Sequence, residues 1–294
     1  MKIRSCLLSL LRLFLLTLLI VASAGAPSAD QYFRELTYQD YLFRLYDYTE
    51  MSEGKPLLIE QTLVVLKSGQ EVFRETGYRW YIANEVPKLG VDITGTGQPN
   101  VVLSEYSGGA HCCITNYIFE LAEPFKVIKI RSHDFPVSFK ELDGRPGLEV
   151  IILETIFLYW KTSFASSPAP RVILRYDRGE YRIATDLMKA PPMNRKHILQ
   201  HAQEVRTSTR WGRYDYYPFD ERLWKVMLDL IYTGNSKQAL EFAGLAWPPS
   251  FPGKNKFVTE LFQCQMRHSD YWKDIAAMNG LPPGPPMGDC PGPQ

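Results

Sequence analysis

Three segments of this chain read as one β-hairpin written three times, and that constrains its fold more than any other feature. Residues 57–66 and 71–83 are two runs of β-branched and aromatic residues joined at Ser68-Gly69. Residues 117–130 turn at Ala122-Glu123-Pro124, and residues 171–184 turn at Asp177-Arg178-Gly179. Such runs, broken by a short turn rich in Gly, Pro and polar residues, predict paired antiparallel strands. The hairpins start near Leu63, Tyr117 and Val172, so they recur with an almost constant spacing. Between them lies a second match: V-D-I-T-G-T-G-Q-P-N-V-V-L-S-E aligns with E-L-D-G-R-P-G-L-E-V-I-I-L-E. Asp92 then falls on Glu141, Thr94 on Asp143, Thr96 on Arg145, Asn100 on Glu149 and Glu105 on Glu154.

A period in the fifties with several short strands per unit predicts a blade-like β-repeat. The segments D-I-T-G-T-G-Q-P-N-V-V-L and L-D-G-R-P-G-L-E-V-I-I-L resemble the FG-GAP/VCBS-type repeats of integrin-α-like propellers and of many bacterial exported proteins. The resemblance covers residues 57–184. It implies loops that hold calcium through oxygens at positions 1, 3, 5 and 9. Here those positions are Asp92, Thr94, Thr96 and Asn100, with Gly97 at the sharp turn. One carboxylate stands where four are usual, so calcium is the cofactor implied but its affinity should be low, because affinity follows ligand charge. In the second loop Glu141, Asp143 and Glu149 keep acids, and Arg145 takes position 5, where its guanidinium can pair with Asp143 or Glu149. Both loops also read as tight turns held by side-chain hydrogen bonds. Between two and three units are visible, fewer than the four blades of a closed ring.

The address is written at the start. Lys2 and Arg4 precede an apolar run from Leu13 to Val21, followed by Ala22, Ser23, Ala24, Gly25 and Ala26. This pattern predicts a secretory signal peptide over residues 1–26 and a periplasmic or secreted protein. Arg12 interrupts the apolar stretch, so no transmembrane anchor is expected after cleavage. Removing residues 1–26 leaves 30 basic against 32 acidic side chains, a net charge of −2. That balance argues against nucleic acid, which calls for a basic field.

From Pro191 the pattern changes to helices. Candidates are 193–206, a segment capped by Asp220 and stopped by Gly234, another opened by Ser236, and then 254–267 and 270–279. Gly234, Ala239, Ala246 and the nearby proline resemble one tetratricopeptide-type helix pair, which must bury its face on other elements. Trp224, Trp247 and Trp272 are expected in the core. The chain is therefore read as α+β. A β-repeat domain, propeller-blade-like but not a closed ring, spans residues 30–190. A helical region spans 191–280, and a Pro/Gly-rich tail, expected to be extended or disordered, spans 281–294.

Candidate chemistry is confined to a few places. Gly108-Gly109-Ala110-His111-Cys112-Cys113 has no counterpart in the next repeat. His111, Cys112 and Cys113 form a candidate soft-metal site or redox switch. Cysteines of an exported protein tend to be oxidised, and two arrangements stay open. Cys264 can pair with Cys290, leaving Cys112 and Cys113 to pair with each other or remain thiols. Otherwise Cys112 and Cys113 cross to Cys264 and Cys290. Trp211, Tyr214, Tyr216 and Tyr217, in a polar-flanked loop, are candidates for binding a sugar or peptide. No nucleophile elbow, phosphate-binding loop or C-x-x-C is present, and no catalytic residue is assigned. The reading is a non-catalytic binding or scaffold protein whose partner is a protein or glycan of the cell envelope. The alternatives are a hydrolase using Glu105 and Glu154 as a carboxylate pair, or a metal- or redox-responsive protein centred on the His-Cys-Cys segment.

Overall fold

A computed structural model describes residues 33–109, 112–133, 135–213, 219–285 and 290, with Pro56 and Cys112 described in their backbone only. The signal peptide expected over 1–26 lies outside these residues, as do His111, Tyr214, Tyr216 and Tyr217. The described residues belong to one compact unit.

Among the described residues, twelve strands form three sheets of four, each an antiparallel meander in chain order. The first sheet is β1 (Glu35–Tyr38), β2 (Tyr41–Ser52), β3 (Lys55–Lys67) and β4 (Gln70–Gly77). The second is β5 (Arg79–Tyr81), β6 (Asn100–Gly109), β7 (Cys112–Glu120) and β8 (Lys126–His133). The third is β9 (Ser138–Lys140), β10 (Glu149–Leu153), β11 (Arg171–Asp177) and β12 (Glu180–Ile183). The three hairpins read from sequence fall on the last two strands of each sheet, except that the run 71–83 divides after Gly77, its end forming β5 of the second sheet. The matched segments 91–105 and 141–154 each enter the second strand of their sheet. None of the sheets closes on itself.

Side-chain alternation turns this order into layers. Val101, Leu103, Tyr117 and Phe119 of the second sheet pack on Phe43, Leu63 and Val65 of the first. The intervening residues Val102 and Ile118, with Ile128 and Ile130, pack on Val150, Ile152, Val172 and Leu174 of the third. The run Val101-Val102-Leu103 is apolar without a break because both faces of its sheet are covered.

The same core continues into helices, α1 (Thr185–Met188), α2 (Arg195–Arg206), α3 (Arg222–Tyr232), α4 (Ser236–Ala246), α5 (Lys254–Thr259) and α6 (Trp272–Asn279). The Asp220 carboxylate accepts the N–H of Arg222 at 3.0 Å, as its capping role predicts. Gly234, with φ of 81°, allows the reversal between α3 and α4. Trp224, Trp247 and Trp272 are buried, as expected. Because the core is shared, the β and helical parts read separately from the sequence pack as one body.

β2 and β3 outrun their neighbours. β1 pairs only with residues 41–44 of β2, and β4 only with residues 61–67 of β3. Beyond these limits the hairpin continues as a two-stranded ribbon, with a bulge at Tyr48/Thr49.

Candidate functional site: a polar cleft behind two interlocked loops

Loop 92–100 is held by its own side chains. The Asp92 carboxylate accepts the N–H groups of Gly95 (2.8 Å), Thr96 (3.2 Å) and Gly97 (2.8 Å). Asn100 Oδ1 accepts those of Ile93 (2.6 Å) and Thr94 (3.1 Å). The hydroxyls of Thr94 and Thr96 donate to Glu120 Oε2 at 2.7 and 2.8 Å, and Lys126 Nζ lies 3.0 Å from Glu120 Oε1. Burial alone would push the Glu120 carboxyl up. The bonds from Thr94, Thr96 and Lys126 outweigh it and hold the group below the ordinary carboxylate range.

All four loop positions named for calcium therefore have side-chain oxygens already hydrogen-bonded, Asp92 and Asn100 to the loop's own N–H groups and Thr94 and Thr96 to Glu120 of β7. Asn100 Nδ2 is buried without a partner, and it is a donor that a cation cannot use. As folded, the Asp92 and Asn100 oxygens serve the loop's own N–H groups, so calcium would have to displace those hydrogen bonds. Among the described residues no group of three or more His, Cys, Asp and Glu side chains is placed to hold a metal. Millimolar calcium is expected to leave the melting temperature unchanged. A rise on titration, read by differential scanning fluorimetry, would show that the loop rearranges to bind it.

Loop 141–149 inverts this chemistry. Glu141 accepts the N–H of Gly144, Asp143 that of Arg145 (3.0 Å) and Glu149 that of Leu142 (2.9 Å). The cation that neutralises them is chiefly Arg175, from β11. It pairs with Asp143, with Glu149 at 3.3 Å and with both oxygens of Asp186 at 3.0 Å. Arg145 makes the ion pair with Asp143 expected from the sequence, at 3.4 Å, but from the rim, and lies 3.7 Å from Asp186. It is 61% exposed against 20% for Arg175. The hydrogen bonds to Asp186 and Glu149 raise the Arg175 pKa further above its ordinary value, against the effect of burial. Matching Tyr117 to Val172 puts Glu120 and Arg175 at the same place in their hairpins. One hairpin offers an acid to a loop of hydroxyls, and the next offers a base to a loop of acids.

The two loops also touch through their backbones. Leu148 N–H donates to Ile93 O at 2.8 Å, and the Tyr181 hydroxyl lies 3.3 Å from Ile93 O and 3.4 Å from Leu148 O. Gly95 and Gly147 meet so closely that a Cβ on either would strike the other loop's backbone. Behind them opens a polar cleft of about 770 Å³. Its walls are these loops, the β11–β12 hairpin, Thr185 and Asp186 at the start of α1, and Lys273 and Asp274 of α6.

The remaining candidates lie apart from this cleft. Glu105 accepts the N–H of Tyr78 at 3.1 Å and packs on Gly77, and burial pushes its carboxyl up. Glu154 is buried where the third sheet meets the helices. It accepts a hydrogen bond from Ser269 and the N–H of Thr155 at 3.1 Å, and the Tyr232 hydroxyl is 3.5 Å away. The two carboxyls share no hydrogen-bond partner, Glu105 being held by Tyr78 of the first two sheets' junction and Glu154 by Ser269 and Thr155. Burial raises the Glu154 carboxyl above its ordinary value near 4.5. The folded chain thus holds this proton more tightly than the unfolded chain, and stability should fall as pH rises above about 4.5 toward the folded pKa. Glu154→Gln is expected to flatten that part of the stability–pH curve, measured by urea unfolding at a series of pH values.

Cys264 and Cys290 form a disulfide, tying the tail to the turn that follows α5. Cys113 is disulfide-bonded too, and its Sγ lies 3.7 Å from His133 Nδ1. His133 was not singled out from the sequence. Trp211, expected on a ligand surface, instead joins an aromatic cluster. Its ring packs against Phe219, Trp247 and Phe251, and its Nε1 donates to Val205 O at 2.7 Å. Its ring is engaged in packing because α2 ends against the loop that carries it.

Comparison with family models, with curated proteins and with solved structures finds no match to this chain. No helix among the described residues is long and apolar enough to cross a membrane.

Proposed function

We propose that this is an exported, non-catalytic binding protein of the cell envelope, built on degenerate FG-GAP/VCBS-type repeats and engaging a protein or glycan at the loop cleft. Residues 1–26 act as its cleaved signal. The observation that carries the binding reading is the cleft itself. Among its charged groups, Arg175 is paired with Glu149 and Asp186, which suits a fixed recognition surface. The carboxyls that burial pushes up, Glu105, Glu154 and Asp229, line none of it. General acid–base chemistry calls for such a group within reach of the substrate, so their separation from the cleft favours binding over turnover. The three meanders of identical strand order support the repeat reading.

The test has two arms. N-terminal sequencing of the envelope-fraction protein should give a chain beginning at Gly25 or Pro27. A photo-crosslinker at Arg145 or Arg182 should capture an envelope component that one at Arg74 on β4 does not. Equal capture from both positions would overturn the cleft reading.

A further inference from the structure

We infer that the overhanging ribbon of β2 and β3 is a docking edge for an extended polypeptide segment bearing lysine or arginine, which adds to β2 as a further strand. This surface is separate from the loop cleft, and the inference stands independently of the function proposed there.

The first observation is the edge. Leu45 donates its N–H outward to Arg34 O at 2.9 Å, which fixes the side of β2 to which alternate residues turn their backbone groups. Thr49 and Met51 therefore point their N–H and C=O groups to the same side, where among the described residues no strand pairs with them. Residues 46–52 present about 20 Å of such edge. An open edge is a template for another strand.

The second observation is the face beside it. Tyr46, Tyr48 and Glu50 share one face by alternation, and Leu57 joins them as the partner of Glu50. Tyr46, Tyr48 and Leu57 are 49%, 52% and 52% exposed. A row of apolar and aromatic groups is thus left in water on an element that needs further packing, because an isolated two-stranded ribbon is marginal in stability.

The third observation is charge, and it selects the occupant. Glu50, Glu53 and Glu60 stand against Lys55 alone, while Asp47 is already paired with Arg34 and Gln61. Two copies of the ribbon laid edge to edge would oppose like charges, which disfavours self-pairing. A strand alternating basic with apolar or β-branched residues would satisfy the edge, the tyrosine row and the acids together.

The probe is a ten-residue peptide alternating lysine with valine or threonine, titrated into the protein from residue 27 onward by fluorescence anisotropy. Binding is expected, weakening with added salt, and the same peptide with glutamate for lysine should not bind. Thr49→Pro removes an outward N–H and leaves the β2–β3 ladder intact, since proline is tolerated on a free edge. It should weaken binding about tenfold, as should Tyr48→Ser, with little change in melting temperature. No binding by the wild type, or equal binding by both folded variants, would overturn the inference. It would then leave the acids as guards against aggregation. Dimerisation of the wild type that Thr49→Pro abolishes would overturn it in favour of a second copy.

Discussion

Replacing Arg175 with alanine is expected to destabilise the protein by about 3–5 kcal/mol, the cost of stranding buried charge when one partner of an ion-pair network is removed. The reason is geometric. Glu149 is only 4% exposed on its side chain and Asp143 12%, and both rely on this guanidinium. Arg145 touches Asp143 only from the rim and does not reach Glu149. In a domain of this size the loss corresponds to a fall of roughly 10 °C in melting temperature. Arg175→Lys should recover part of it, because an ammonium keeps the charge but cannot serve Asp143, Glu149 and Asp186 at once. A double variant, Arg175→Ala with Glu149→Gln, should be less damaged than the sum of the two singles. Additive losses, measured by urea unfolding, would show that Arg175 does not act through Glu149.

The second large effect is expected at Gly95. Alanine there meets two obstacles, a φ of 73° and the backbone carbonyl of Pro146 in the facing loop. Gly97 is an internal control, since it has a φ of 79° and open space where a Cβ would stand. Gly97→Ala should cost about 1 kcal/mol, the left-handed backbone alone. Gly95→Ala should cost about 3 kcal/mol or more, because backbone must move as well. Equal costs at the two positions, by thermal or urea unfolding, would mean that the loops separate easily and that the walls of the cleft are not rigid.

The sequence made the hairpins legible because each is a local pattern, with alternation on both sides of a turn. The helices were legible through Asp220, Gly234 and Ser236 at their ends. β1 and β2 were not read, though Tyr41, Phe43 and Leu45 alternate, because no matching copy drew attention to them. β5 and β9 are three residues each, too short to carry a period. At the loops, the ligand positions were found but not what fills them. Glu120 and Arg175 reach in from strands 20 or more residues away, and proximity in sequence favoured Arg145 instead. The hairpin match already set an acid opposite a base at that place. Taken together with the loop match, it would have pointed to the exchange of roles. The packing of Trp211 is not legible locally because its flanking residues are polar, whereas its neighbours in space, Trp247 and Phe251, lie beyond two helices in the chain.

The covering of the middle sheet on both faces has a further consequence. In a stack of like units each end needs a terminator, since an inner face left bare draws in whatever is apolar. Here the two terminators differ in kind. After the third sheet the series is stopped by helices that share its core. On the outward side of the first sheet, among the described residues, it is stopped by chemistry, with Arg44 paired to Glu35 and Arg74 to Glu71. Lengthening the series at the helical end would require that whole cap to be displaced, whereas a few substitutions from charge to aliphatic would open the other end.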